Sequence, residues 1–200
     1  MNNKVKILLE GYAKVYDDYE DVSSSVVLIE NEKHKIIVDP GFNRKNLLEA
    51  LKKENLKVED IDIVLLTHYH MDHSPLAGLF KKAIFMDNGD QYLQNGIIKR
   101  QEDGMLGDGI EIIQTPGHDQ FHCSVVVDSK DMGKVVIAGD IFWWIDGEEP
   151  EKSFESLINL EDPYVKNIDD LKESRKKILK IADWIIPGHG KMFKNSKKYE

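Results

Sequence analysis

A short apolar run, Ile63-Val64-Leu65-Leu66, passes without a break into Thr67-His68-Tyr69-His70-Met71-Asp72-His73. Composition alone rarely produces such a block, and it constrains the chain more than any other stretch. Three further apolar runs end in the same way. Ile110-Glu111-Ile112-Ile113 leads to Thr115-Pro116-Gly117-His118, Val135-Val136-Ile137-Ala138 to Gly139-Asp140, and Trp184-Ile185-Ile186 to Pro187-Gly188-His189. In open α/β architectures, sites assemble outside the carboxyl ends of strands, so four such ends can converge on one point.

The convergent set is His68, His70, Asp72, His73, His118, Asp140 and His189. Neutral imidazole nitrogen suits zinc, iron, nickel and copper, and a carboxylate can bridge two cations. Seven donors exceed what one tetrahedral ion takes; two ions sharing one carboxylate would receive about four each. His68 and His70 are two apart, so an extended backbone turns both rings to one side. Asp72 and His73 follow where a helix is expected to begin and face a neighbouring position. Gly117, Gly139 and Gly188 each precede a candidate ligand, and a residue without Cβ lets backbone approach a crowded centre. Taken singly, His118 or His189 reads as a turn histidine, and Asp72 or Asp140 as a helix cap. The four clusters together carry the metal reading. His34 lies in a charged turn and is expected in solvent. His122 at a strand start reads as a core or rim residue, and Cys123 as a small buried apolar one.

The hydrophobic pattern predicts strands over 5–9, 26–29, 36–38, 61–66, 83–86, 110–114, 124–127, 135–138 and 184–186. It predicts helices over 44–54, from Ser74-Pro75 onward, and over 166–181. The fold class is α/β, and 200 residues suit one domain spanning 1–200. Lys and Arg number 27 against 36 Asp and Glu, a net charge of −9, so the surface as a whole repels polyanions. The basic stretch Lys194 to Lys198 is the exception. The lone cysteine excludes a disulfide within the chain. No apolar run approaches the ~18 residues that span a bilayer, and the start of the chain is too short and charged for a signal peptide. The expectation is a soluble, cytoplasmic protein with no membrane partner.

Thr-His68-x-His70-x-Asp72-His73, Gly-His118, Gly-Asp140 and Gly-His189 resemble, in order, the metal motifs of the metallo-β-lactamase fold superfamily. The resemblance covers nearly the whole chain. It implies a four-layer αβ/βα sandwich with a dinuclear site at one edge. It implies that His68, His70 and His118 hold one ion, that Asp72, His73 and His189 hold the other, and that Asp140 bridges. Asp39 and Thr67 would support the site from behind. The implied activity is that of a hydrolase. Two divalent ions, zinc first with manganese or iron as alternatives, would share a water and lower its pKa toward ~7. The resulting hydroxide, oriented by Asp72, would attack a phosphodiester, ester or thioester in a small molecule or short oligonucleotide. Zinc β-lactamases of the common class carry Cys where Asp140 stands, and flavodiiron proteins carry Glu where His70 stands, which disfavours both chemistries. Only 48 residues separate Asp140 from His189, too few for the inserted cap of certain nucleases.

Tyr12 lies in the segment where family loops overhang the site, and Trp143 and Trp144 follow the bridging Asp. These three and His122 are candidate pocket residues, with Tyr12 and His122 also candidates for the leaving-group acid. The tryptophans could equally serve core packing or a homodimer contact. Two rival functions remain open: a mononuclear iron oxidoreductase resembling the persulfide dioxygenases, and a non-catalytic metal-binding protein.

Overall fold

The computed structural model describes residues 2–196; Lys197 and Lys198 of the basic stretch lie outside them. Along the chain run β1 (Lys4–Leu9), β2 (Tyr12–Val15), β3 (Glu20–Ser23), β4 (Val26–Glu30), β5 (Lys35–Val38), α1 (Arg44–Lys53), β6 (Ile63–Leu65), β7 (Ile84–Met86), β8 (Asp90–Tyr92), β9 (Ile98–Arg100), β10 (Ile110–Gln114), β11 (Cys123–Ser129), β12 (Gly133–Trp143), α2 (Phe154–Ile158), α3 (Ile168–Ile181), β13 (Trp184–His189) and β14 (Phe193–Lys194). One sheet has the order β1-β4-β5-β6-β7-β8-β9 and the other β10-β11-β12-β13-β14. A separate hairpin, β2–β3, stands apart from both.

Alternation along the central strands makes the layers. Val27, Ile29, Ile36, Val38, Ile63 and Leu65 of the first sheet meet Val125, Val127, Val135, Ile137 and Ile186 of the second in one buried cluster. Their sequence neighbours point the other way. Val26, Leu28, Ile37 and Val64 pack under Leu47 and Leu51 of α1. Val126, Val136, Ala138 and Ile185 pack under Leu171, Ile178 and Leu179 of α3. Strands buried on both faces read as unbroken apolar runs, as these do. The result is the four-layer αβ/βα sandwich expected from the sequence. Both long helices are capped by asparagine: Asn43 Oδ1 accepts from Asn46 N at 3.1 Å, and Asn167 Oδ1 from Asp169 N at 3.1 Å.

Several elements depart from the expectation. The helix foreseen after Ser74 is a single 3-10 run, Pro75–Leu79; five residues ending at the turn into β7 are too few to propagate an α-helix. Strand β12 does not stop at Ala138. It runs on to Trp143, with Gly139 at φ 57° and register shifts against β13 between Ile137, Gly139 and Trp143. Likewise β13 runs on to His189. The short strands β2, β3, β8 and β9 and the helix α2 carry no apolar run long enough to announce them.

Arg175 ties this framework to the site region. It is completely buried in α3. Its Nε donates to Ile141 O at 2.7 Å, and its Nη1 to Ile158 O at 3.1 Å and Leu160 O at 2.6 Å. Ile141 follows Asp140 directly. The Arg175→Met variant removes the donor to the Ile141, Ile158 and Leu160 carbonyls and is expected to lose about 1–3 kcal/mol of stability in chemical denaturation. A loss below about 1 kcal/mol would contradict this account.

Candidate metal centre

The strand ends deliver seven side chains to one point. Two groups of donors form: His68, His70, His118 and Asp140, and Asp72, His73, Asp140 and His189. Within each group the donor atoms lie within 4.8 Å of one another. Asp140 belongs to both. Its Oδ2 is 3.5 Å from His118 Nε2 and 3.7 Å from His68 Nε2, while its Oδ1 is 3.2 Å from His73 Nε2 and 3.6 Å from His189 Nε2. Asp72 Oδ2 is 2.9 Å from His189 Nε2. The rings of His68 and His70 are 4.5 Å apart, as two side chains on one side of an extended stretch should be. Tyr69 between them points away and donates its hydroxyl to Asp87, at the end of β7.

Hydrogen bonds at the back of each ring decide which nitrogen faces inward. Asp39 accepts from Thr67 N at 2.8 Å, from Thr67 Oγ1 at 2.7 Å and from His73 Nδ1 at 2.9 Å. Because the Thr67 hydroxyl donates to Asp39, its oxygen is left to accept from His68 Nδ1 at 3.0 Å. His118 Nδ1 donates to Asp162 Oδ2 at 2.7 Å, and His189 Nδ1 to Tyr12 O at 3.1 Å. Four imidazoles are thus held through Nδ1–H and turn Nε2 to the centre, a lone pair wherever that nitrogen is unprotonated. His70 Nδ1 faces His118 Nε2 at 3.1 Å. The buried atoms His68 Nε2, His73 Nε2 and Asp140 Oδ1 have no hydrogen-bond partner. Inward lone pairs, orphaned buried acceptors and a shared carboxylate fit divalent cations, because no other common group satisfies all of them.

Asp140 is held from behind. His122 Nε2 accepts from Asp140 N at 3.1 Å. Its Nδ1 then donates to Thr115 Oγ1, at 2.9 Å; Thr115 donates to Ser124 Oγ, which donates to Ala138 O at 3.0 Å. Burial and the neighbouring His118 pull His122 down to about 3, so it stays neutral. Gly188 leaves room for the carboxylate: a Cβ there would stand 1.7 Å from Asp140 Oδ1. Burial opposes charge on Asp140, but His73 and His189 outweigh it and hold the carboxyl well below its ordinary value. The reciprocal attraction overcomes burial at His73, which is raised, and at His189, which is raised to about 9.

A cleft of about 500 Å³ opens beside the cluster, lined in part by His70, Asp72, Asp140 and His189. Of the four candidate pocket residues, only Trp143 lines it. In the β2–β3 hairpin, Ala13 pairs with Val22 and Val15 with Glu20, and these four face the cleft. Alternation puts Tyr12 on the opposite face, where its hydroxyl lies 3.5 Å from Asn43 Nδ2. Trp144 likewise turns away from Trp143, to pack on Phe193 at 6.2 Å under Lys152. His122 is fully buried behind Asp140 and reaches neither cleft nor solvent. Sequence reading missed Asp162, Asp87 and Tyr164. Asp87 shares the strand-end signal of the others; Asp162 and Tyr164 lie between helices with no local signature.

The chain belongs to the metallo-beta-lactamase superfamily, whose family model matches residues 19–89. It is 32% identical to metallo-beta-lactamase domain-containing protein 1 of Xenopus laevis over 200 aligned residues, 96% of this chain and 82% of that protein. It is 37% identical to the Mus musculus protein of the same name, over 87% of this chain and 66% of that one. A crystal structure from Thermotoga maritima superposes with a TM-score of 0.73 at 24% identity, covering 97% of this chain and all of that one. AidC, a dizinc quorum-quenching lactonase, superposes with a TM-score of 0.63 at 16% identity, over 86% of this chain and 73% of that one. Among the described residues no helix is long and apolar enough to cross a membrane.

Two outcomes follow for metal affinity. Asp162→Ala removes the acceptor behind His118 and is expected to weaken cation binding about 10- to 100-fold in chelator competition. Binding also displaces protons from His189 and His73. Their raised values mean that apparent affinity should rise with pH from 6 toward 9 and fall on acidification. A flat profile over that range would contradict the proton count.

Proposed function

We propose that this protein is a dinuclear metal-dependent hydrolase. The supporting observation is the pair of four-donor groups that share Asp140. In this reading His68, His70 and His118 hold one cation, Asp72, His73 and His189 hold the other, and Asp140 bridges. Zinc is the first choice, in keeping with the imidazole-rich donor set and with the dizinc lactonase of the same fold. A bound pair of divalent cations supplies activated water near neutral pH and neutralises charge that develops on the substrate.

The chain's own residues do the rest. Asp72 lines the cleft and is held in its ionised form by His189 and His73 against the opposing effect of burial. It is therefore an acceptor that orients the attacking water. Asp39, Asp162 and the Tyr12 carbonyl keep the imidazoles from rotating, so the donors need no rearrangement during reaction. Trp143 and Tyr164, with ring centroids 5.8 Å apart, shield one side of the cleft from water. Burial and the nearby Glu20, Asp72 and Asp162 carboxylates raise Tyr164, so its hydroxyl keeps its proton and adds no charge to the cleft. Substrates in this reading are phosphodiesters, esters or thioesters.

Purified protein reloaded with zinc is expected to carry two cations per chain by mass spectrometry. The Asp140→Ala and His118→Ala variants should lose bound metal together with hydrolysis of nitrophenyl esters or phosphodiesters. One iron per chain with oxygen uptake would favour an oxidoreductase instead. Full activity in Asp140→Ala would refute the assignment.

A further inference from the structure

The cleft walls carry more information than the cluster does. One face of the β2–β3 hairpin presents Val15 and Val22. Trp143, Tyr164 and Ile145 add aromatic and aliphatic surface to the same lining. Trp143 and Tyr164 are tilted by 33°, and Trp143 stands edge-on to His189 at 6.0 Å, so the apolar wall begins at the donor cluster itself. Outside the cluster, the charged residues of the lining are Lys14 and Glu20. Lys14 Nζ already lies 3.9 Å from Asp21 Oδ2 and 5.0 Å over the Tyr12 ring. Glu20 has the opposite sign. The lining therefore holds no surplus of cationic side chains.

That lining discriminates between substrate classes. A nucleic-acid strand places successive phosphates along its path, and each needs a cation to replace its counterions. Two metal sites could serve the scissile phosphate, but beyond them, among the described residues, Lys14 is the one cation in this lining to serve its neighbours, and the chain's net charge of −9 repels them. An apolar chain meets the opposite conditions: it loses nothing by leaving water and gains contact with aliphatic and aromatic walls.

We infer that the cleft takes an ester or thioester whose apolar acyl chain lies along Val15, Val22, Trp143 and Tyr164, with the scissile carbonyl at the donor cluster. The inference rests on the hydrolase reading and narrows it. Water adds its oxygen to the acyl carbon, and the C–O or C–S bond breaks. The alcohol or thiol leaves with one of the water's protons, and the acid product releases the other as it becomes a carboxylate.

The test uses zinc-reloaded protein with 4-nitrophenyl esters and matching thioesters of acetate, butyrate, hexanoate and octanoate, alongside bis(4-nitrophenyl) phosphate and a single-stranded oligoribonucleotide. kcat/KM is expected to rise about three- to fourfold per added methylene while the chain still fits. The two phosphodiesters should be cleaved far more slowly. The free carboxylates, titrated by calorimetry, should bind more tightly with length. Val15 is 55% exposed, so Val15→Asp leaves the core intact. It should cut the octanoyl-to-acetyl ratio of kcat/KM about tenfold by placing a charge against the chain. Preferred cleavage of either phosphodiester, or rates and affinities indifferent to chain length, would overturn the acyl assignment while leaving the hydrolase intact. No turnover of any substrate by protein carrying two cations would sink the hydrolase reading instead; carboxylate affinities that still climb with length would then uphold the cleft assignment on their own.

Discussion

Everything at this site depends on rings that cannot turn. A histidine offers a lone pair from whichever nitrogen lacks the proton, and only a partner behind the ring decides which that is. Here Asp39, Asp162, the Thr67 hydroxyl and the Tyr12 carbonyl each take a proton from Nδ1. Four Nε2 atoms then converge on buried ground around Asp140. Such an arrangement repels itself unless protons or cations sit within it. The raised values of His73 and His189 are that repulsion relieved by protons, and divalent cations would relieve it more completely.

The sandwich exists to hold those partners still. Asp39 follows β5 with φ of 48°, an unusual backbone for a residue with Cβ, tolerated because its carboxylate is fixed by three donors. Asp140 sits where β12 loses register with β13, so its carboxylate leaves the line of the strand and meets both donor groups. Arg175 joins α3 to the carbonyls of Ile141, Ile158 and Leu160; Ile141 follows Asp140 directly, and Leu160 stands two residues before Asp162. Helix, strand irregularity and outer carboxylates therefore act together on the position of a few nitrogen and oxygen atoms.

The cleft is a different kind of construction. Its floor is the rigid cluster; its roof is a hairpin of two four-residue strands outside both sheets. A period of two turns Ala13 and Val15 of that hairpin toward substrate space and Tyr12 away from it. The same alternation separates Trp143 from Trp144 and explains why Tyr12 and Trp144 lie elsewhere, while His122 is buried behind Asp140. Nomination by proximity in sequence picks adjacent residues together, whereas a strand sends them to opposite sides.

The amino-acid sequence alone determined the fold class, the central strands and the seven converging donors. Long apolar runs can only be buried strands, and clustered imidazoles at their ends have few chemical uses. It also carried Asp39 and Thr67, through the likeness of their motifs to a known pattern. Tertiary structure alone decided the outer partners and the walls. Asp162 is 44 residues from His118, Tyr12 is 177 from His189, and Tyr164 meets Trp143 only because chain segments between helices fold back over β12. Contacts of that separation leave no periodicity or spacing to read, since they follow from packing of whole layers and not from any local preference of the residues that make them.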